Sequence, residues 1–139
     1  MPLARIAAAT LAAAVAAVLA NLALRAVAVA VFDIPQPEFE PLQVRAVAVS
    51  TASGVIAAGV VFALVARLAR DPVRVFAIVA AVALVLSLWA PISLGLADPP
   101  EDPGTDAGSV GTLIVMHVVA AAIAVTALIA AATGRVSRR

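Results

Sequence analysis

Arg67-Leu68-Ala69-Arg70-Asp71-Pro72-Val73-Arg74 is the stretch whose reading decides the fold. It is short and basic, and it separates two apolar runs, 44–66 and 75–96, each long enough to cross the roughly 30 Å hydrocarbon core of a bilayer as a helix. Pro72 can open a helix because the first turn needs no amide donor there. So short a connection makes the two runs antiparallel neighbours, and its arginines assign the turn to the cytoplasm by the positive-inside rule.

Outward from this turn the pattern repeats. Two further apolar runs cover 6–32 and 109–133. Arg5 precedes the first run, and Asp33, Glu38 and Glu40 follow it; Asp98, Glu101, Asp102 and Asp106 precede the fourth, and Arg135, Arg138 and Arg139 follow it. On this topology the acids other than Asp71 lie on the outer side, and the terminal arginines join 67–74 on the inner side. The expectation is an all-α integral membrane four-helix bundle, up-down-up-down. It forms a single four-span domain over 1–139, with both termini cytoplasmic and the chain in the cytoplasmic (inner) membrane.

Composition agrees. The chain is 65% hydrophobic with a mean hydropathy of +1.16, whereas a soluble domain is about half apolar and about a quarter charged. Four spans and their loops use nearly all 139 residues, leaving no room for a separate soluble domain. Cysteine is absent, which excludes disulfides, thiol chemistry and thiolate metal sites, and the sole histidine, His117, cannot hold a metal alone. No cofactor is expected. A pI of 9.0 would suggest nucleic acid, but the net charge of +1 conceals a separation of charge across the membrane. The inner arginines fit anionic headgroups, each worth about 1 kcal/mol there. The bilayer is the expected partner, not nucleic acid.

The first run would reach about 40 Å as a helix, so it must tilt or protrude. Its start, Arg5 followed by an alanine-rich segment, resembles a secretory signal with a weak cleavage pattern at Val18 and Ala20, but the apolar run continues well past that point. Pro35, Pro37 and Pro41 make 33–43 a stiff loop. The loop 97–108 is rich in Pro, Gly and Asp and reads as mobile and solvated. In the second span, Ser50, Gly54 and Ala58 recur every four residues, with Gly59 adjacent, and read as a packing seam for another helix, or less often a substrate groove. In the third, Pro91 should kink the helix and free a carbonyl near Ser87. Trp89 reads as an aromatic anchor at the interface, or else a lid over the polar groups below it. Ser87 and Ser93 are expected to satisfy carbonyls of their own helix. Gly134 is a natural stop for the fourth span.

One polar constellation stands out. Counting about 1.5 Å per residue from the outer ends, Arg25 lies roughly 10 Å deep, Ser50 about 9 Å, His117 about 12 Å and Ser87 about 14 Å. Asn21 lies one turn from Arg25 on the same face. An intramembrane arginine is costly and needs a partner, yet no carboxylate lies in any span. In the structural reading Arg25 reaches outward to Asp33, while Asn21 and His117 make interhelical hydrogen bonds. In the functional reading Arg25 floors an outward-open pocket for a lipid phosphate or small carboxylate. A proton relay through His117 would need buried acids, and these are missing.

Asn21-Leu22-Ala23-Leu24-Arg25, Phe32-Asp33-Ile34-Pro35, 61–67 and above all Met116-His117-Val118-Val119-Ala120-Ala121 resemble a family of small four-span bacterial and archaeal membrane proteins carried as a domain of unknown function. The resemblance covers nearly the whole chain through apolar motifs. It implies the four-helix architecture and a family pattern that includes Asn21, Arg25 and His117, but no activity. It also implies an acid just after the proline of span three, where this chain has Ile92, so an internal partner for Arg25 is lost.

Two functional expectations follow. The first is a structural or accessory subunit packing through Ser50, Gly54 and Ala58 against a second copy or a larger membrane protein. The alternative is an outward-facing binder or transporter of an anionic lipid or small metabolite around Asn21, Arg25, Ser50, Ser87 and His117. An enzyme is the least favoured class, because no carboxylate is available to orient His117.

Overall fold

The computed structural model describes residues 2–35, 38–100 and 103–134. Among these residues five helices follow one another: α1 (Leu3–Phe32), α2 (Val44–Leu68), α3 (Pro72–Ser87), α4 (Trp89–Leu96) and α5 (Ala107–Thr133), with a 3-10 turn at Glu40–Leu42 before α2. Because α3 and α4 follow one another almost without a break, the chain has four long apolar stretches able to cross a membrane, Leu3–Phe32, Val44–Leu68, Pro72–Leu96 and Ala107–Thr133. The all-helical four-span architecture is therefore present, and no strand occurs among the described residues.

Local chemistry sets the boundaries. Asp33 adopts a left-handed conformation (φ 51°) and ends α1, and Gly134 does the same for α5 (φ 71°). Asp71 caps α3 by accepting from the Arg74 amide at 3.1 Å, with Pro72 in the first turn. The fourth span begins two residues earlier than the pattern 109–133 suggested. Asp106 accepts from the Ser109 amide at 2.7 Å, and the Ser109 hydroxyl stands 2.9 Å from the Asp106 amide, a reciprocal cap that leaves Ser109 inside the first turn. In the third span, Pro91 has no N–H for the Ser87 carbonyl, and α3 gives way to α4 at Leu88.

The core forms three layers along the bundle. At the end carrying the chain termini, Ile6, Phe62, Phe76 and Leu128 pack together. The middle layer is built from Ala13, Ala14, Ala17, Val55 and Ala124. At the opposite, distal end, Ala28, Val47 and Met116 meet Ile34, Phe39 and Leu42. The last three belong to the proline-rich connection, which is therefore not merely a stiff surface loop. It folds back and buries Phe39 and Leu42 completely. The second distal loop is tied to it, because a Cβ on Gly104 (φ 85°) would come within 2.5 Å of the Pro35 ring. Asp98, Pro99, Pro100, Pro103 and Asp106 are exposed, as the solvated reading expected, while Gly104 packs on Pro35 and Asp106 caps α5; the expectation for Glu101 and Asp102 falls outside the described residues.

Helix α1 is the hub, lying along both α2 and α5. Its alanines allow this, since Thr10, Ala13, Ala14 and Ala17 form a thin buried face. Helix α3 is held differently. Phe76 is its one buried residue, set edge-on against Phe62 with ring centroids 4.8 Å apart. At the far end α4 returns to α5, where Gly95 faces Val110. Between these two attachments α3 stands off from the bundle.

Candidate functional site

The space left by α3 is a slot of about 340 Å³, within the range of small-molecule sites. Its walls follow from the sequence. α3 contributes Ala80, Ala83, Leu84 and Ser87, α2 contributes Ser50, Thr51, Gly54 and Ala58, and α5 contributes Met116, His117, Ala120 and Ala124. Small side chains on all three helices face one another, and the bulky Phe62–Phe76 pair below them keeps the helices apart. The slot follows α5 from Leu113 to Val125, about 18 Å at 1.5 Å per residue. Its polar groups, Asn21, Ser50, Thr51, Ser87 and His117, gather towards the distal end beneath Pro41; Ala58, Phe76 and Val125 line the other end.

The structure brings together four of the five residues expected to form the polar layer. Asn21, Ser50, Ser87 and His117 all line the slot, but Arg25 does not. The Arg25 Nε donates to the Leu42 carbonyl, while Asp33 makes no ion pair among the described residues. The expected Arg25–Asp33 pair is thus replaced by a charge-assisted bond to the turn that carries Phe39 and Leu42, an interaction worth about 1.5–3 kcal/mol. A loop carbonyl is the nearer partner because the loop folds back over the helix ends. Arg25 fastens the connection between α1 and α2.

Asn21 is 2% exposed. Its Nδ2 donates to Thr51 Oγ1 at 3.0 Å and to the Met116 carbonyl at 3.3 Å, joining α1 to α2 and α5. The amide orientation follows from chemistry, since the Met116 carbonyl can only accept. Asn21 Oδ1 is then buried without a hydrogen-bond partner, which ordinarily costs about 1–3 kcal/mol. His117 Nδ1 lies 2.7 Å from the Leu113 carbonyl, so Nδ1 carries the proton of that bond, and in the imidazole form the lone pair is on Nε2. Ser50 donates to the Val47 carbonyl at 3.3 Å and Ser87 to the Leu84 carbonyl at 2.8 Å. Trp89 is exposed and lies outside the slot lining.

The stripe Ser50, Gly54 and Ala58 packs against no other helix of this chain at its centre. A Cβ on Gly54 would meet nothing within 4 Å, and all three residues face the slot. The close intramolecular seam runs one residue further round α2, through Thr51, Val55 and Gly59, where a Cβ on Gly59 would lie 2.2 Å from Thr10 Oγ1. Sequence reasoning missed Thr51, the Leu42 and Met116 carbonyls and Pro41. Thr51 carried a usable signal in the four-residue series Val47, Thr51, Val55, Gly59. The carbonyls carried none. No group of three metal-ligating side chains occurs among the described residues.

The fold and site define a small four-span membrane protein with a mostly apolar, partly open slot between three helices, bordered at its distal end by Pro41. The model of a family of unknown function, DUF6069, matches residues 2–134, and the chain belongs to that family. Comparison with curated proteins and with solved structures gives no match.

Proposed function

We propose that this protein is a non-enzymatic binder, in the cytoplasmic membrane with both termini inside, that holds a small, largely apolar molecule in the slot between α2, α3 and α5. One observation carries the reading. Three helices present small residues to a common space that the bundle does not fill, with hydrogen-bonding groups confined to one end. A gap of this kind forfeits packing, because its lining atoms lose dispersion contacts on one side. An apolar occupant restores those contacts. The anionic ligand expected from Arg25 finds no support, because that guanidinium is engaged with the loop and lies outside the slot lining.

A second reading rests on the same open stripe. Ser50 and Gly54 are exposed, with nothing near a Cβ at Gly54, and with Ala58 below them suit close approach by a helix of a second copy or of a larger partner. Gly54→Leu separates the two. In the binding role it fills the slot and lowers retention of a lipophilic probe such as decane, measured by native mass spectrometry from micelles, without changing the oligomeric state. Unchanged retention would overturn the binding role. A loss of assembly with unchanged retention would favour the subunit role.

A further inference from the structure

We infer that the distal end of the slot selects an uncharged hydroxyl head group, so that the ligand is a neutral, single-chain alcohol with its apolar tail directed towards Phe76. This rests on the binding role proposed above and adds the chemistry of the ligand's polar end.

The argument is an account of polar hydrogens. His117 spends its Nδ1 proton on the Leu113 carbonyl, Ser50 its hydroxyl proton on the Val47 carbonyl, and Ser87 its own on the Leu84 carbonyl. Asn21 directs its amide nitrogen to Thr51 and Met116. Of the polar side chains at this end, only the Thr51 hydroxyl has a hydrogen that no recorded bond uses. What remains on offer is lone pairs: His117 Nε2, the serine oxygens, and Asn21 Oδ1, which is buried and without a donor. A site with several acceptors to give and one free hydrogen, on Thr51, calls for a ligand that donates and can also accept, as a hydroxyl does.

Charge decides between donors. Among the described residues no carboxylate and no cation lines the slot, so an ammonium would enter an apolar space with no counter-ion, and an anion would face lone pairs without a cation. A hydroxyl donates one hydrogen bond and carries no charge. The shape agrees, since the polar groups stand at one end of a slot about 18 Å long whose remainder is lined by alanine, valine and phenylalanine. His117 Nε2 is one acceptor for such a head group, and Asn21, bonded to the carbonyl of the neighbouring Met116, lines the same end of the slot.

His117 is the chain's sole histidine, so ring-15N-labelled protein gives one Nε2 resonance to follow. Purified protein in micelles at mildly alkaline pH is titrated with decanol, decanoate and decane. Decanol is expected to shift the Nε2 resonance upfield, saturably, leaving Nδ1 little changed; decanoate and decane are expected to leave Nε2 in place. His117→Phe is expected to weaken decanol retention about tenfold, the worth of one good hydrogen bond, with decane retention unchanged. A further arm with monodecanoylglycerol, which has one chain, distinguishes a membrane lipid's hydroxyl from a free alcohol, and a saturable Nε2 shift from either supports the inference. Retention of all three decyl probes with an indifferent Nε2 would overturn hydroxyl selection while leaving the binding role standing. Retention of none above the Gly54→Leu level would overturn both. A shift caused by decanoate and not by decanol would overturn the inference in favour of an acidic ligand.

Discussion

Two faces of the same helix behave in opposite ways. On α2, Thr51, Val55 and Gly59 are buried against the neighbouring helices, and Gly59 lies so close to Thr10 that a single added carbon would collide with it. One residue round the helix, Ser50, Gly54 and Ala58 repeat the same spacing and line the slot, with open space at Gly54. Both series have the small-residue period that favours close helix approach. What differs is the partner. Helix α1 presents a flat alanine face and comes close, whereas α3 is propped off by Phe76 against Phe62. Small residues make contact where the opposing helix is free to approach, and make a cavity where a bulky pair holds it away.

The largest way to break this comparison is Gly59→Leu. The side chain has nowhere to go without separating α1 from α2, and overpacking on this scale costs about 3 kcal/mol or more. Reversible unfolding in mixed micelles should show little folded protein. Wild-type stability would mean that the α1–α2 contact is not the seam.

Next in size is Arg25→Leu. It removes a charge-assisted bond to the Leu42 carbonyl and is expected to cost about 2 kcal/mol, with faster amide hydrogen exchange around Phe39 and Leu42. Retention of an apolar probe should be unchanged, because Arg25 does not line the slot. Lost retention with intact loop protection would return Arg25 to the binding site. Thr51→Val is smaller, about 1 kcal/mol, since it deletes one of the two acceptors of Asn21 Nδ2 and keeps the shape of the side chain. A cost near zero would show that the Met116 carbonyl alone holds the amide.

The spans were legible because hydropathy and charge act over whole segments. Arg67, Arg70 and Arg74 mark a turn, and nothing in the third dimension can make 75–96 polar. The polar layer was legible for a similar reason, since antiparallel helices of known rise fix the depth of Asn21, Ser50, Ser87 and His117. The partner of Arg25 was not. It is a backbone carbonyl in a loop whose prolines and acids read as solvated, while Ile34, Phe39 and Leu42 are spaced so that the loop buries them over the bundle end. The choice between the faces of α2 was not legible either, because it is made by Thr10 on one helix and Phe76 on another, far away in sequence. Periodicity describes a face; it does not say what stands opposite.

Gly54→Leu has the smallest expected effect on stability and tests the comparison most sharply. A Cβ there meets no atom within 4 Å, and leucine is the better helix former by several tenths of a kcal/mol or more. The variant should therefore unfold within about 0.5 kcal/mol of the parent or slightly later, gaining dispersion contacts with Ala83 or Ala120 across the slot. Its counterpart at Gly59 differs by five positions and by nothing in chemistry, so the difference between the two variants measures the standoff of α3 directly. If Gly54→Leu destabilises as severely as Gly59→Leu, α3 closes against α2 in the membrane and the slot does not exist there. A gap of about 3 kcal/mol or more between them means that the space beside Gly54 is held open by the fold itself.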